Sequence, residues 1–344
     1  MPVGDPASPR RARLLGVLDS RHRLASDYGR AVFALADRLR RELDLELAID
    51  DADRAQADVL AGFCAPRGVP LHVGDLGAPL ARRFDAIECV LTAAPATRAV
   101  LESEAELPLL YTPGPPGSED AELVRRAAVV LCRSAAQVTE VRALSPDAAC
   151  VRAAPGADFD AFAPGRFERG HGVVATGERA ALRRGFDRVA EAFAVARELV
   201  PKLRLKLVGA GAGSAAAPEG LDVLTDVGPR ERARLLADAA VLLWLGEAPD
   251  SCAPPVVEAL ACGTPAVVSD LPGPRELYER WPAVAFASPA DPVGLGEVVA
   301  AAVCAGPARA LVDREAARAV HDWGVLARAR AAAVRGVLGA GARR

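Results

Sequence analysis

Short apolar runs alternate along this chain with longer segments whose apolar positions recur every three or four residues. Residues 13–19 (RLLGVLD) predict a strand, followed by a loop at 20–28 and a helix over 29–43. Val32, Phe33, Leu35, Ala36 and Leu39 form the apolar face of that helix. Residues 45–49 (LELAI) predict a second strand, and the runs at 86–91 (AIECVL), 107–111 (LPLLY) and 127–132 (AAVVLC) continue the series. The turn-rich stretch 113–117 (PGPPG) separates two of them. Strands that alternate with helices in this way pair in parallel, because each crossover carries the chain back to the same edge.

Residues 154–169 (APGADFDAFAPGRFER) break the pattern with Pro, Gly and Asp, which predicts a link between domains. A second series follows: strands at 172–176 (GVVAT), 203–208 (LRLKLV), 240–245 (AVLLWL) and 265–269 (PAVVS), with helices at 186–200, 230–239 and 254–262. Helical segments at 293–303 and 323–338 close the chain. The expected fold class is α/β, with two Rossmann-like open parallel sheets facing a cleft. Ligands bind such sheets at the C-terminal ends of the strands.

Composition narrows the function. A chain of 344 residues suits two domains, and 51% hydrophobic with 25% charged residues supplies two cores. Net charge is −3, the pI is near 5.9 and aromatics make up 4%, so broad nucleic-acid binding is not expected. Seven cysteines, none spaced C-x-x-C, predict reduced and mostly buried thiols in a cytoplasmic protein. The N-terminal MPVGDPASPRRARLL lacks a signal peptide's apolar core, and no apolar run approaches membrane-spanning length, so a soluble or peripheral protein is expected. Lys202 and Lys206 are the only lysines, so arginine is expected to carry cationic roles.

Candidate chemistry concentrates at 245–276 (LGEAPDSCAPPVVEALACGTPAVVSDLPGPRE). A strand leads into a loop where Asp250 and Ser251 are helix-capping candidates, and the next helix carries Glu258. Backbone N–H groups around Ser251, Cys252 and Ala253 at the helix start suit an anion such as a diphosphate. Glu258, about two turns on, is suited to hydrogen-bond sugar or ribose hydroxyls. The same residues also describe a capped helix with one solvated glutamate.

This stretch resembles the C-terminal signature of family 4 glycosyltransferases: an acid, seven residues, then Glu and Ala, followed by ACGTP and a later G-x-x-E. The resemblance implies a GT-B fold and transfer of a sugar, with retained configuration, from a nucleotide diphosphate sugar to a hydroxyl. It implies that Glu258 binds the donor ribose and that Asp250, one methylene shorter than the family's Glu, approaches the donor sugar. Ala253 stands where the family has glycine. Residues 172–187 (GVVATGERAALRRGFD) resemble the family's strand, Gly-Arg, loop and Lys-Gly element, whose cations clamp the diphosphate. Arg179 and Arg184 reproduce its interval of five, with Arg replacing Lys and Glu178 replacing a glycine. Gly177, at that strand's end, joins the donor-binding positions. Residues 153–162 (AAPGADFDAF), 207–211 (LVGAG) and Trp323 resemble the family's linker, strand end and final helix. The implied division is 1–155 on the acceptor side, 156–322 for the donor, and 323–344 crossing back onto the first domain. No cofactor or metal is implied, the donor itself being a substrate.

The first domain resembles the family only in outline. Its first loop (DSRHRLASDYGRAV) lacks paired glycines, and no histidine ends a later strand. His22 on that loop is a further site candidate, while His72 in a strand-like run reads as structural, and His171 and His321 fall outside any motif. A glycosyltransferase-like binding protein without turnover is the alternative, motivated by Glu178, Asp250, Ala253 and the missing histidine. A nicotinamide dehydrogenase is set aside, because 209–213 (GAGAG) lacks the spacing and following helix of a dinucleotide fingerprint. The acceptor is left as a glycan, lipid or small molecule. Arg21, Arg23, Arg30, Arg38, Arg40 and Arg41 make contact with an anionic membrane a candidate property, while Asp37, Glu42 and Asp44 interrupt the charge and fit a solvated face at least as well.

Overall fold

The computed structural model describes residues 11–18, 27–49, 54–82, 84–90, 99–103, 108–112, 118–165, 170–177, 179–209, 218–225, 227–247 and 252–341. At 27–32, 54–56, 118–120, 179–185, 309, 340 and 341 it describes the backbone only. The chain divides into two compact units. One holds Met1–Cys132, Gln137–Ala153 and Trp323–Arg344, the other Arg133–Ala136 and Ala154–Asp322.

The first unit is built on strands β1 (Arg13–Leu18), β2 (Asp44–Ile49), β3 (Leu71–Val73), β4 (Ala86–Val90), β5 (Leu109–Thr112), β6 (Val129–Cys132) and β7 (Cys150–Arg152). They pair in parallel in the order β3-β2-β1-β4-β5-β6-β7. Its main helices are α1 (Asp27–Leu39), α2 (Arg54–Cys64), α3 (Ser118–Arg126) and α4 (Ala135–Leu144). The central strand shows why its sequence is nearly all apolar: both faces are covered. Leu14 and Leu18 of β1 join one core with Phe33 of α1 and Leu60 of α2. Leu15 and Val17 join the opposite core with Phe84, Leu123 and Val141.

The second unit holds β8 (Gly172–Gly177), β9 (Arg204–Val208), β10 (Leu221–Leu224), β11 (Val241–Leu245), β12 (Ala266–Ser269) and β13 (Val284–Ala287). All are parallel, in the order β10-β9-β8-β11-β12-β13. Helices α5 (Arg179–Leu199), α6 (Pro229–Asp238), α7 (Pro254–Ala261), α8 (Pro272–Tyr278), α9 (Pro292–Ala305) and α10 (Ala308–His321) cover it. Leu242 and Trp244 of β11 pack with Val256, Val257 and Leu260 of α7. Val241, Leu243 and Leu245 face the other way, toward Val189 and Phe193 of α5 and Val299 of α9.

The last helix, α11 (Trp323–Gly341), belongs to the first unit. Its Ala327, Ala331 and Val334 are buried in the same core as Leu14 and Phe33. Arg330 of α11 forms a buried ion pair with Glu88 of β4. Burial pushes the Glu88 carboxyl up, and the Arg330 charge and hydrogen bond pull it back only in part.

The two ends of the long segment Ala154–Asp322 are tied together inside the second unit. Ala157 pairs with Asp322, Ala157 N donates to His321 O at 2.9 Å, and His321 Nδ1 donates to Pro155 O at 2.8 Å. His321 is therefore a structural residue of that tie. His72, in β3, has its Nε2 2.8 Å from Glu46 Oε2, alongside Arg82. None of the seven cysteines forms a disulfide, and five are buried.

The start of one helix and three strands differ from the sequence expectation. Helix α5 begins at Arg179 rather than near 186, because 179–184 (RAALRR) consists of strong helix formers that extend the following helix upstream. Strands β7, β10 and β13 were not expected; all three are sheet edges, only three or four residues long. An edge strand has one paired side and little buried surface, so its apolar pattern is weak.

Candidate functional site

In both sheets the strand order reverses beside the first strand of the unit, between β1 and β4 and between β8 and β11. Crossovers leave on opposite sides there, which opens a crevice at the C-terminal strand ends. In the second unit those ends are Gly177 and Leu245, which are paired in register. The strands approach so closely that a Cβ on Gly177 would sit 2.0 Å from Leu245 O. Glycine is thus required by space at the position the sequence assigned to donor binding. Gly246 N, just past β11, donates to the buried Ser269 Oγ at 3.0 Å, fixing the neighbouring end of β12.

Two residues beyond Gly177, Arg179 is the first residue of α5, and Arg184 lies in its second turn. Helical positions five apart are about 140° apart around the axis, so the two occupy different sides of α5. Their side chains lie outside the described residues, as do Glu178, Asp250, Ser251 and His22.

The start of α7 is described from Cys252 onward. Cys252 and Ala253 are 8% and 1% exposed. Ala253 is the cap residue of α7, with φ 40 and ψ 58, in the left-handed region. It is the sole non-glycine residue with positive φ among the described residues. Pro254 and Pro255 occupy the first two helical positions and carry no N–H, while Val256 N donates to Ala253 O at 3.0 Å. The helix start therefore supplies fewer backbone donors than an ordinary N-terminus. The hydroxyl of Tyr278 donates toward the carbonyls of Cys252 (2.5 Å) and Ala253 (3.1 Å). Tyr278 is fully buried, which holds its phenol well above the usual range, with the nearby Cys252 and Glu258 adding to the effect.

Glu258 lies one turn into α7. Its Oε2 accepts from Arg232 Nε of α6 at 2.5 Å, with both side chains nearly buried. The glutamate is thus held by a guanidinium rather than solvated as the plain capped-helix reading would have it. The ACGTP segment after it is largely architectural. Gly263 turns the chain at φ 64, and the buried Thr264 hydroxyl donates to Leu236 O of α6 at 2.7 Å.

Two residues that shape this region were not singled out from sequence. Arg232 did leave a signal: it precedes Leu235 and Leu236 by three and four positions, so it falls on the buried face of an amphipathic helix. Tyr278 left none, since its hydroxyl meets carbonyls from a loop 25 residues upstream.

Residues 170–304 match the family model described as glycosyl transferases group 1. By sequence alone, the chain matches none of the curated proteins. Among solved structures it resembles Anabaena HepE in complex with UDP-glucose, at TM-score 0.73 and 16% identity over 94% of this chain and 99% of that one. It also resembles a glycosyltransferase from Rickettsia africae, at TM-score 0.72 and 11% identity over 95% and 99%. Sucrose-phosphate synthase from Thermosynechococcus elongatus follows at TM-score 0.67 and 14% identity over 96% and 100%. The two parallel-sheet units form the GT-B fold, and the stretch that matches the glycosyl transferases group 1 model contains the switch-point strand ends, Glu258 and the left-handed turn at Ala253.

Proposed function

We propose that the chain transfers a sugar from a nucleotide diphosphate sugar to a hydroxyl acceptor with retained configuration, and that the donor binds the second unit. The observation that carries this is the coincidence, within residues 170–304, of the Gly177–Leu245 switch point with a helix start followed by Glu258. In this reading Glu258, oriented by Arg232, accepts from the ribose hydroxyls. Asp250 orients the donor sugar, and Gly177, Ser251, Cys252 and Ala253 border the diphosphate. Arg179 and Arg184 stabilise the charge that builds on the departing phosphates, a task that guanidinium groups perform without a metal. The bond between the anomeric carbon and the diphosphate oxygen breaks, the acceptor oxygen bonds to that carbon, and the acceptor hydroxyl gives up its proton to the departing diphosphate oxygen. The nucleotide leaves with the bonding electron pair.

UDP and UDP-glucose are the first ligands to test, because the resembling HepE was solved with them. The experiment is thermal unfolding with UDP, GDP, ADP and TDP and their common sugar conjugates, followed by transfer assays with the ligand that shifts unfolding. An Arg179→Ala variant serves as the control. A glycosyltransferase-like protein that binds without turnover is the second reading. It is favoured by the engagement of Glu258 with Arg232 and by an alanine in the left-handed turn. Nucleotide binding without donor hydrolysis or transfer above the Arg179→Ala/Glu258→Ala background selects it.

The acceptor, whether glycan, lipid or small molecule, belongs to the first unit in this reading, and the protein is placed in the cytoplasm. Arg38, Arg40, Arg41 and Arg67 converge on Asp37, so four guanidinium groups face one carboxylate and that patch stays cationic. Peripheral contact with an anionic membrane is tested by co-sedimentation with anionic liposomes at low salt. Among the described residues no single helix is long and apolar enough to cross a membrane.

A further inference from the structure

Ala253 adopts a conformation that its sequence opposes twice. A Cβ disfavours the left-handed region, and a following proline pushes the preceding residue toward extended backbone. An alanine before Pro254 is thus held left-handed by its surroundings rather than by preference. The group positioned to do this is the hydroxyl of Tyr278, which lies within hydrogen-bond distance of two consecutive carbonyls, at 252 and 253. Its ring is fully buried and lies 6.4 Å from that of His321, so the hydroxyl is delivered by a fixed side chain.

We propose that Tyr278 is a positioning residue for the donor diphosphate: its hydroxyl locks the left-handed turn at Ala253 and so aims the backbone amides of residues 252 and 253. The proposal rests on the donor site described above. The two prolines make this turn matter more than an ordinary helix start, because neither of the first two helical residues has an N–H to offer. Amides on the turn itself must then meet an anion, and their direction is set by φ and ψ at Ala253. A glycine here would take the left-handed conformation freely; in this chain the buried phenol replaces that freedom with a latch.

The test is a double-mutant cycle of Tyr278→Phe and Ala253→Gly. Phenylalanine keeps the packed ring and removes only the hydroxyl. Each protein is titrated calorimetrically with UDP, GDP, ADP and TDP, and its thermal midpoint is measured in parallel. Y278F is expected to weaken the nucleotide that wild type binds by about tenfold, the scale of one lost hydrogen bond. Removing the hydroxyl is expected to cost far less in the A253G background, with the double variant binding nearly as well as A253G alone, because glycine needs no latch. The thermal midpoint is expected to fall with Y278F, and to fall less when A253G is already present. Y278F binding like wild type overturns the positioning role and leaves the donor site standing. A loss of the same size in the A253G background also overturns it, since the tyrosine is then only a packing element. If wild type binds none of the four nucleotides, the donor reading itself falls, and the role in positioning a diphosphate falls with it. The stability cycle still reports whether the hydroxyl and the turn are coupled.

Discussion

Gly177 stands against Leu245 with no room for a side chain: a Cβ there would be 2.0 Å from the Leu245 carbonyl oxygen. The two residues end the strands that flank the switch point of the second sheet. The contact is with backbone, so it cannot be relieved by a rotamer change. Gly177→Ala is expected to force the strand ends apart at a cost of about 1–3 kcal/mol. Thermal unfolding should show a midpoint lower by several degrees, together with loss of any nucleotide-dependent shift. An unchanged midpoint would show that the strand ends are not packed as described.

Arg232→Met removes the guanidinium that holds the nearly buried Glu258 carboxylate while keeping bulk in the α6–α7 contact. Breaking a buried pair from one side costs about 3–5 kcal/mol, because the remaining charge stays desolvated. Denaturant unfolding should register that loss, and the double variant Arg232→Met/Glu258→Gln should recover much of it. On the proposed function, both variants bind nucleotide more weakly than wild type, since Glu258 is either misoriented or uncharged.

Glu88 and Arg330 make a comparable pair in the first unit, joining β4 to α11. Arg330→Met leaves the Glu88 carboxyl buried without its counter-charge, with an expected loss of about 3–5 kcal/mol. Burial already raises this carboxyl above its ordinary value, and removal of the arginine raises it further. A raised folded-state value means that the carboxyl's contribution is most favourable in acid and is lost as pH rises through that value. The variant should therefore recover part of its deficit relative to wild type as pH is lowered, measured by thermal unfolding across a pH series. A deficit independent of pH would contradict the assignment.

His321 gives the opposite sign. Burial lowers its value from 6.5, the hydrogen bond to Pro155 works against this, and the Arg280 charge adds to the lowering. The folded state therefore holds a neutral imidazole, and the unfolded chain takes up the proton first as pH falls. Its contribution is full above 6.5 and is lost as pH drops through the depressed value. His321→Asn should flatten the acid limb of the stability profile relative to wild type, read from thermal midpoints below that pH. An acid limb of the same slope would place its cause elsewhere.

How far the fold could be read from sequence follows from burial. The central strands β1 and β11 are buried on both faces and announce themselves as continuous apolar runs. The edge strands do not: β7 has one half-buried and two exposed residues, and β10 mixes Asp222 into a run of four. The start of α5 was misplaced because a basic segment read as a phosphate-clamping loop has the helix propensity of Ala, Leu and Arg. In the candidate site, the helix that carries Glu258 was legible because strand, loop and helix follow in sequence, but its cap is Ala253, with no side-chain hydrogen bond, rather than Asp250 or Ser251. Arg232 and Tyr278 were not identified, since their partners lie 26 and 25 or 26 residues away and only the fold brings them together. Ala253 was visible as a departure from glycine, but the left-handed turn that it occupies is a property of the backbone.

The measurement that tests the central claim most directly is thermal unfolding of wild type and Arg179→Ala with UDP, GDP, ADP, TDP and their sugar conjugates. A ligand at about 100 times its dissociation constant stabilises by roughly 2.7 kcal/mol, which moves the midpoint by several degrees. The account predicts such a shift with one nucleotide class in wild type and its loss in Arg179→Ala. No shift with any of them, or an equal shift in the variant, would contradict a donor site at the end of β8.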